Sequence, residues 1–213
     1  MQMTMNMSWS TRDVFFVFVM WAVMMVAMMV PSATPLFRLF AKANSARAER
    51  SSSLTTMMFG LGYVTVWLGF SVLAALLQSA LHEAALLSSG MSIPNPYLAG
   101  AILIGAGAFQ FTPLKRTCLT QCRSPLGFLM QYWRNGRSGA FLMGLRHGTF
   151  CLGCCWAVML VLFVVGIMNL AWVAVLAVFV LIEKLGPYGG RASQIAGTIM
   201  IAFGGWLWMS AGV

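Results

Sequence analysis

Three of the five cysteines in this sequence lie within five consecutive residues, in the stretch GLRHGTFCLGCCWAVM at positions 144–159. At about 100° per residue on an α-helix, these thiols and one imidazole share an arc of roughly 100°: His147, Cys151, Cys154 and Cys155. A buried cysteine can serve as a small apolar residue, but three beside a histidine form a donor set suited to soft metal ions. The spacing predicts a metal site on this face, with His147 either a ligand or a donor behind the ligands.

Small residues on the same arc indicate that a second helix packs closely against it. Gly144 and Gly148 leave room for a neighbouring backbone, as in small-xxx-small packing. Arg146 adjoins His147, and charged residues within membrane segments are costly and usually functional. An arginine near a helix end can also extend to the membrane surface, so both interpretations of Arg146 stay open.

Methionines in the first apolar segment provide candidate thioether ligands. Met20, Met24 and Met28 form a stripe about 80° wide, and Met25 and Met29 lie on the adjoining surface. A rise of 1.5 Å per residue places Met24 and Met25 roughly 15–18 Å below the outer surface of the membrane. The same arithmetic places Cys154 and Cys155 roughly 13–15 Å above the inner surface of a core about 30 Å thick. The two sets are therefore expected at one level, although methionine is also a common apolar filler.

A second thiol pair, Cys118 and Cys122, lies in the stretch KRTCLTQCRSP. The C-x-x-x-C spacing puts both on one face if the segment is helical. A reducing cytosol keeps such a pair as thiols rather than a disulfide. Metal handling and structural use remain alternatives for this pair.

The donor inventory favours Cu(I). Thiolates and thioethers select Cu(I), whereas carboxylates and water suit Mg²⁺ and Ca²⁺. The chain has 18 Met, 5 Cys and 2 His against only 4 Asp and Glu. Zinc can also bind Cys and His and is the alternative, but it makes little use of thioethers.

Two further features are candidate ligands outside these segments. The chain begins MQMTMNMSWS, so Met1, Met3, Met5 and Met7 could gather around Cu(I), or could mark alternative start sites. His82, with Gln78 one turn before it and Glu83 beside it, could take part in a relay or form an ordinary helix-end hydrogen bond.

Composition places these residues in a membrane protein. The chain is 60% hydrophobic and 8% charged, whereas soluble domains average about a quarter charged residues. Six apolar runs predict membrane helices, approximately at 14–36, 54–87, 97–111, 139–168, 170–182 and 193–209. Pro31 and Pro35 are expected to kink or end the first helix, and the fifth helix is short unless it includes Glu183 to Leu185. We expect an all-α polytopic bundle in one domain, 1–213, with the first segment retained as an anchor rather than cleaved.

The charge distribution predicts the orientation. Lys and Arg near helix ends remain in the cytoplasm, and every one of the 13 except Arg12 falls on one side. The segments 37–53 and 112–138 are then cytoplasmic loops, and both termini, with the Met-rich tail 1–11, face outward. Topology and anionic lipid headgroups account for the net charge of +9, so no nucleic-acid partner is required. No glycine-rich phosphate loop or Ser-His-Asp arrangement is evident.

Four motifs resemble a bacterial family described as predicted metal-binding integral membrane proteins: WAVMMVAMMVPSATP, QFTPLKRTCLTQCRSPLGFL, HGTFCLGCCWAVMLVLFVVGIMN and EKLGP. The resemblance runs from about Trp21 to Pro187. It implies a multi-pass inner-membrane protein, with members that act as copper chaperones for exported copper enzymes such as tyrosinase-type oxidases. The residues that match the family's motifs, and that the resemblance implies to be metal ligands, are Met24, Met25, Met28, Met29, Cys118, Cys122, Cys151, Cys154, Cys155 and Glu183. The tail Met1–Met7 lies outside the matched region.

Together these observations predict a non-enzymatic, Cu(I)-binding protein of the bacterial plasma membrane that delivers or moves copper to an extracytoplasmic copper protein. Cys118 and Cys122 would hold copper on the cytoplasmic side, and the cysteines near 151–155 would form a buried site with methionines. One rival is a membrane thiol–disulfide oxidoreductase that uses Cys151 and Cys154. Another is a structural subunit of a larger membrane complex or oligomer.

Overall fold

The computed structural model describes residues 10–46, 52–88 and 91–211, and all regular structure within them is helical. This confirms the all-α fold class. The helices are α1 (Thr11–Ser45), α2 (Ser52–Glu83), α3 (Pro96–Phe109), α4 (Pro113–Arg123), α5 (Pro125–Tyr132), α6 (Gly136–Leu160), α7 (Leu162–Val165), α8 (Leu170–Leu185) and α9 (Gly189–Ala211).

Three of these helical segments are long and apolar enough to cross a membrane: Thr11–Ser45, Ser53–Glu83 and Gly136–Val165. Helices α3 and α4 meet at a 62° bend and would add a fourth span if they cross as one broken segment. Large apolar side chains such as Leu73 and Leu170 point outward, as expected for a surface that contacts lipid. Helices α8 and α9 occupy the positions predicted for spans five and six but fall outside this count, so the six-span topology is not confirmed and stays a prediction.

Helix α1 continues through Pro31 and Pro35, so the predicted ending there is wrong. A proline removes one backbone N–H, and the freed carbonyl group must find another partner inside a membrane protein. The carbonyls that lose their partner are those of Ala27 and Pro31, four residues before each proline. Ser32 donates to Met29 O at 2.8 Å and Thr34 to Val30 O at 3.1 Å, so these hydroxyl bonds go to neighbouring carbonyls.

Glycines bring α2 and α6 into backbone contact. A Cβ added at Gly144 would collide with the carbonyl of Phe59, and one added at Gly62 would collide with the carbonyl of Phe141. Gly148 also lies against α2, where an added Cβ would be 2.9 Å from the Val66 Cγ2 and 3.1 Å from the Tyr63 carbonyl oxygen. This confirms the close helix approach predicted for Gly144 and Gly148, and it identifies α2 as the neighbour.

The segment 112–138, expected as a loop, contains α4 and α5. Thr112 begins α4 by accepting a hydrogen bond from the Lys115 backbone N–H at 3.3 Å, a typical N-cap arrangement. Helix α4 then packs against α6. Helix α8 does include Glu183 to Leu185, so its C-terminal end reaches the same region of the bundle as α4.

Candidate metal centre

The three closely spaced cysteines of α6 lie together in the protein interior. Their exposed fractions are 1% for Cys151 and 0% for Cys154 and Cys155. The thiols of Cys154 and Cys155 both donate to the Cys151 carbonyl, at 3.1 and 2.8 Å. The helical spacing thus places the three side chains on one buried face, as the sequence predicts.

The thioether that contacts this face is that of Met29. Its Sδ lies 4.0 Å from the Sγ of Cys155. Met25 and Met28 are buried in the same core and Met24 packs at its edge. The Met29 contact lies about 6 Å, one helical turn, beyond the Met25 position used in the depth estimate.

Helix α4 brings the second cysteine pair to the same place. The Sγ of Cys122 lies 4.0 Å from that of Cys154. Cys118 fits against Gly153, where an added Cβ would lie 2.8 Å from the Cys118 Sγ. Cys122 is half-buried and the other four thiols are buried. The two cysteine sets, separate in the sequence-based prediction, form one cluster whose least buried member is Cys122.

A lysine side chain lies at the centre of this cluster. Lys184 is only 5% exposed, and its Nζ contacts the Cys151 Sγ at 2.8 Å, the Ser32 Oγ at 3.3 Å and the Met29 Sδ at 3.9 Å. From the sequence, Lys184 counts only towards the charge asymmetry, and its place in the cluster is not predicted. One feature of the sequence could have indicated it: Lys184 lies at the end of an apolar helical run. A charged residue buried in such a segment is costly and is usually functional.

Tyr63 joins the sulfur atoms to the rest of the core. Its hydroxyl lies 3.0 Å from the Cys151 Sγ and donates to the Met29 carbonyl at 3.1 Å. The buried His147 ring stacks on Tyr63 at a centroid distance of 5.7 Å and meets Phe128 edge-on at 5.1 Å. The His147 Nδ1 has no hydrogen-bond partner among the described residues, so both roles considered for His147, a ligand and a donor behind the ligands, stay open. Arg146 lies over the Tyr132 ring at 3.8 Å, on an exposed side of α6.

The carboxylate of Glu183, a candidate ligand by resemblance, is engaged by a neighbouring cation. Its Oε1 lies 2.6 Å from the Lys115 Nζ, and both side chains are almost completely buried. Arg123 donates to the backbone carbonyls of Glu183 and Gly186 at 3.3 and 2.9 Å. These contacts attach the end of α8 to α4 and so fix Lys184 relative to Cys122.

One predicted candidate, His82, lies away from the cluster. His82 is 19 residues beyond Tyr63 on α2, about 28 Å along the helix, and it has a partner of its own. Met1, Met3, Met5 and Met7 fall outside the described residues.

The sulfur atoms are near, but not at, coordination distances. Within residues 10–46, 52–88 and 91–211, no three Cys, His, Asp or Glu side chains already converge on one point as metal ligands would. Two thiolates on opposite sides of a metal, each at about 2.3 Å, would lie about 4.6 Å apart. The Cys122–Cys154 and Cys155–Met29 separations of 4.0 Å are close to that value. The donors are all soft, which fits Cu(I) better than a hard cation.

Comparison with known proteins gives one match. A family model described as PpoB2, copper chaperone, covers residues 18–207. No curated protein and no solved structure matches the chain. The matched span contains all five cysteines, Met29 and Lys184, and leaves out the tail that carries Met1 to Met7.

Proposed function

Because this chain belongs to the PpoB2 copper chaperone family, as its motifs suggested, we propose that it binds Cu(I) in the membrane and passes it to an extracytoplasmic copper protein. The observation that carries the proposal is the proximity of soft donors from three helices within one buried cluster. Cys122 comes from α4, Met29 from α1, and Cys151, Cys154 and Cys155 from α6. Burial excludes bulk water from such a site.

Cys122 is the first acceptor in this scheme. It is the least buried thiol, and its Sγ is within 4.0 Å of Cys154. Cu(I) can therefore bind a second thiolate before it leaves the first, so it is never without a sulfur ligand. From Cys154 the ion reaches Cys151, Cys155 and Met29.

Lys184 holds the sulfur atoms together before copper arrives. Its ammonium group contacts Cys151 and Met29, and it carries the same unit charge as Cu(I). Cu(I) bound to the Cys151 thiolate replaces the ammonium as its counter-charge, and Lys184 releases one proton and stays as a neutral amine. One positive charge enters as one leaves, so the charge of the buried cluster is unchanged, which avoids the large cost of adding a net charge to a low-dielectric interior.

The outward path follows the methionines of α1. Met29 is 18 residues from Thr11, about 27 Å along the helix, so the cluster lies towards the cytoplasmic side if the positive residues are inside. Met25 is buried and Met20 is half-buried between the cluster and the outer end. These thioethers offer weaker sulfur ligands than the thiols, which suits transfer rather than storage.

The direct test replaces Cys151, Cys154 and Cys155 by Ser together. Serine is close in size to cysteine and its hydroxyl can bond the preceding helical turn. We expect the purified variant to contain no copper by elemental analysis, with normal yield and helix content. The single variant Cys118→Ser changes a thiol at the edge of the cluster, and we expect it to retain part of its copper. Full copper stoichiometry in the triple variant would place the site elsewhere.

The sequence-based oxidoreductase alternative used Cys151 and Cys154, whereas the structure also brings Cys122 close to Cys154. Cys122 and Cys154 are adjacent, and one of them is half-buried. A redox enzyme would use one of these thiolates to attack a substrate disulfide, forming a mixed disulfide and releasing the substrate's other thiolate, and the second thiol would then resolve it. A Cys154→Ser variant would trap that adduct. Detection of a trapped adduct, together with normal copper content in the triple variant, would favour the enzyme.

A further inference from the structure

A separate cavity of about 370 Å³ lies where the end of α3 meets the beginnings of α4 and α9. Its polar lining is dominated by hydrogen-bond donors and positive charge, from Gln110, Lys115, Arg116, Arg191 and Ser193. No acidic side chain lines it. The lining is therefore complementary to an anion rather than to a metal.

Gln110 provides the observation that most specifically indicates a ligand. Its side chain is 2% exposed, and its Oε1 accepts a hydrogen bond from the Ser193 hydroxyl at 3.0 Å. The amide Nε2 has no partner among the described residues. A buried donor without an acceptor costs about 1–3 kcal/mol, so its retention beside a cationic cavity is explained if a ligand supplies the acceptor.

Close helix packing fixes this amide in place. Gly197 of α9 lies against Gln110, because a Cβ at position 197 would be 2.8 Å from the Gln110 Cβ. Gly107 packs against the Gly197 carbonyl in the same manner. The Gln110 amide is therefore held on a rigid α3–α9 contact rather than on a flexible loop.

The charged groups around it are arranged in two layers. Lys115 is 1% exposed and paired with Glu183, so it contributes remaining N–H donors but little net charge. Arg116 and Arg191 are exposed at the mouth and leave two uncompensated positive charges there. Gly190, near the N-terminus of α9, also lines the cavity, and a helix N-terminus favours an anion.

We propose that this cavity binds the oxyanion of a phosphate group, with Gln110 and Lys115 as the inner donors and Arg116 and Arg191 as the outer clamp. Guanidinium groups match phosphate geometry through paired N–H donors. A phospholipid headgroup and free inorganic phosphate offer the same chemistry. Basic pockets between membrane helices on the cytoplasmic side recognise such headgroups.

The test uses the full-length protein with two probes. Titration calorimetry with inorganic phosphate measures binding from solution, and native mass spectrometry after reconstitution with phosphatidylglycerol or phosphatidylcholine measures retained lipid. The test variant is Arg116→Gln with Arg191→Gln. The control, Arg38→Gln with Arg134→Gln, removes the same charge from exposed positions outside the cavity. A second variant, Gln110→Glu, places a negative charge on the inner donor.

We expect one phosphate or one phosphatidylglycerol per chain, and a loss of roughly tenfold or more in affinity or retention in the test variant and in Gln110→Glu. The control should behave like the unmodified protein. The probe that binds identifies the source of the oxyanion. Absence of binding by both probes, or an equal loss in the control, would overturn the proposal. Copper content measured on the same samples should be unchanged, so the outcome is independent of the copper proposal.

Discussion

Side chains in the cluster differ in what they offer a metal. Cys151, Cys154, Cys155 and Met29 present sulfur lone pairs, whereas Lys184 presents N–H donors and a charge. Copper binding therefore depends both on the sulfur ligands and on the positive charge of Lys184, which Cu(I) replaces. Single substitutions can separate these two contributions.

Replacing Met29 by Leu tests the thioether. Leucine keeps the apolar volume and costs less than about 1.5 kcal/mol in packing, but it removes the sulfur that lies 4.0 Å from Cys155. We expect a weaker Cu(I) affinity in a competition assay with a soluble Cu(I) chelator, by about tenfold. Met143→Leu is the matched control, because Met143 is also buried but belongs to a separate apolar cluster on α6. Equal affinities in the two variants would remove Met29 from the ligand set.

Replacing Lys184 by Met tests the proposed exchange of cations. Methionine fills a similar volume, and replacing a buried charge with an apolar group is often neutral or stabilising. In this variant no ammonium group can replace copper beside the thiolates as the ion leaves. We therefore expect slower transfer of Cu(I) to a chelator, by about tenfold. Lys42→Met removes an exposed lysine of α1 and should leave the rate unchanged. A faster release from Lys184→Met would instead give Lys184 a role in strengthening the thiolate ligands.

At the scale of helices, the site depends on how closely α2 and α6 approach. Gly62 and Gly144 bring the two backbones together, and this places the Tyr63 hydroxyl beside Cys151. Attachment of α8 to α4 through Arg123 similarly determines where Lys184 lies. The cluster is therefore a product of helix contacts as much as of its own residues.

Two alanine substitutions on α2 test this dependence. Gly62→Ala introduces a Cβ that collides with the Phe141 carbonyl, whereas Gly69→Ala meets nothing within 4 Å. Forcing the helices apart should cost roughly 1–3 kcal/mol, seen as a lower thermal unfolding midpoint and reduced copper content. Gly69→Ala should keep the midpoint or raise it, because alanine favours a helix by up to about 1 kcal/mol. If Gly62→Ala changed neither the unfolding midpoint nor the copper content, close approach of α2 and α6 would not be required for the site.

At the scale of the whole molecule, orientation in the membrane determines the direction of copper transfer. The positive residues concentrate on one side by sequence, and the cavity that carries Arg116 and Arg191 lies at one end of the bundle. The proposal that copper moves outward depends on that end being cytoplasmic. Orientation also decides whether Cys122 meets copper from the cytosol.

Reporter fusions measure this directly. A periplasm-dependent reporter should be active when fused at the C-terminus or near Ser92, and inactive near Ser124, because Lys and Arg remain inside. A cytoplasm-dependent reporter at the same three positions should give the opposite result. Activity of the periplasmic reporter near Ser124 would reverse the orientation and with it the direction of copper transfer.

Much of the site could be predicted from local sequence. The identity of the helices follows from runs of apolar residues, and the shared face of Cys151, Cys154 and Cys155 follows from helical periodicity alone. Periodicity also places Gly144 and Gly148 on that face, and their small size predicted that another helix packs closely against it. The donor types predicted copper, and the family match agrees with that metal.

Contacts between distant segments were decided only by the tertiary structure. Depth arithmetic selected Met24 and Met25, but Met29 meets the thiols, because each residue of uncertainty at a helix end moves a side chain by 1.5 Å. The meeting of Cys122 with Cys154 required α4 to fold as a helix against α6. Burial of Lys184 was the least predictable feature, since a lysine at a helix end can reach water or turn inward. Periodicity determines which residues share a face, whereas packing between helices determines what that face meets.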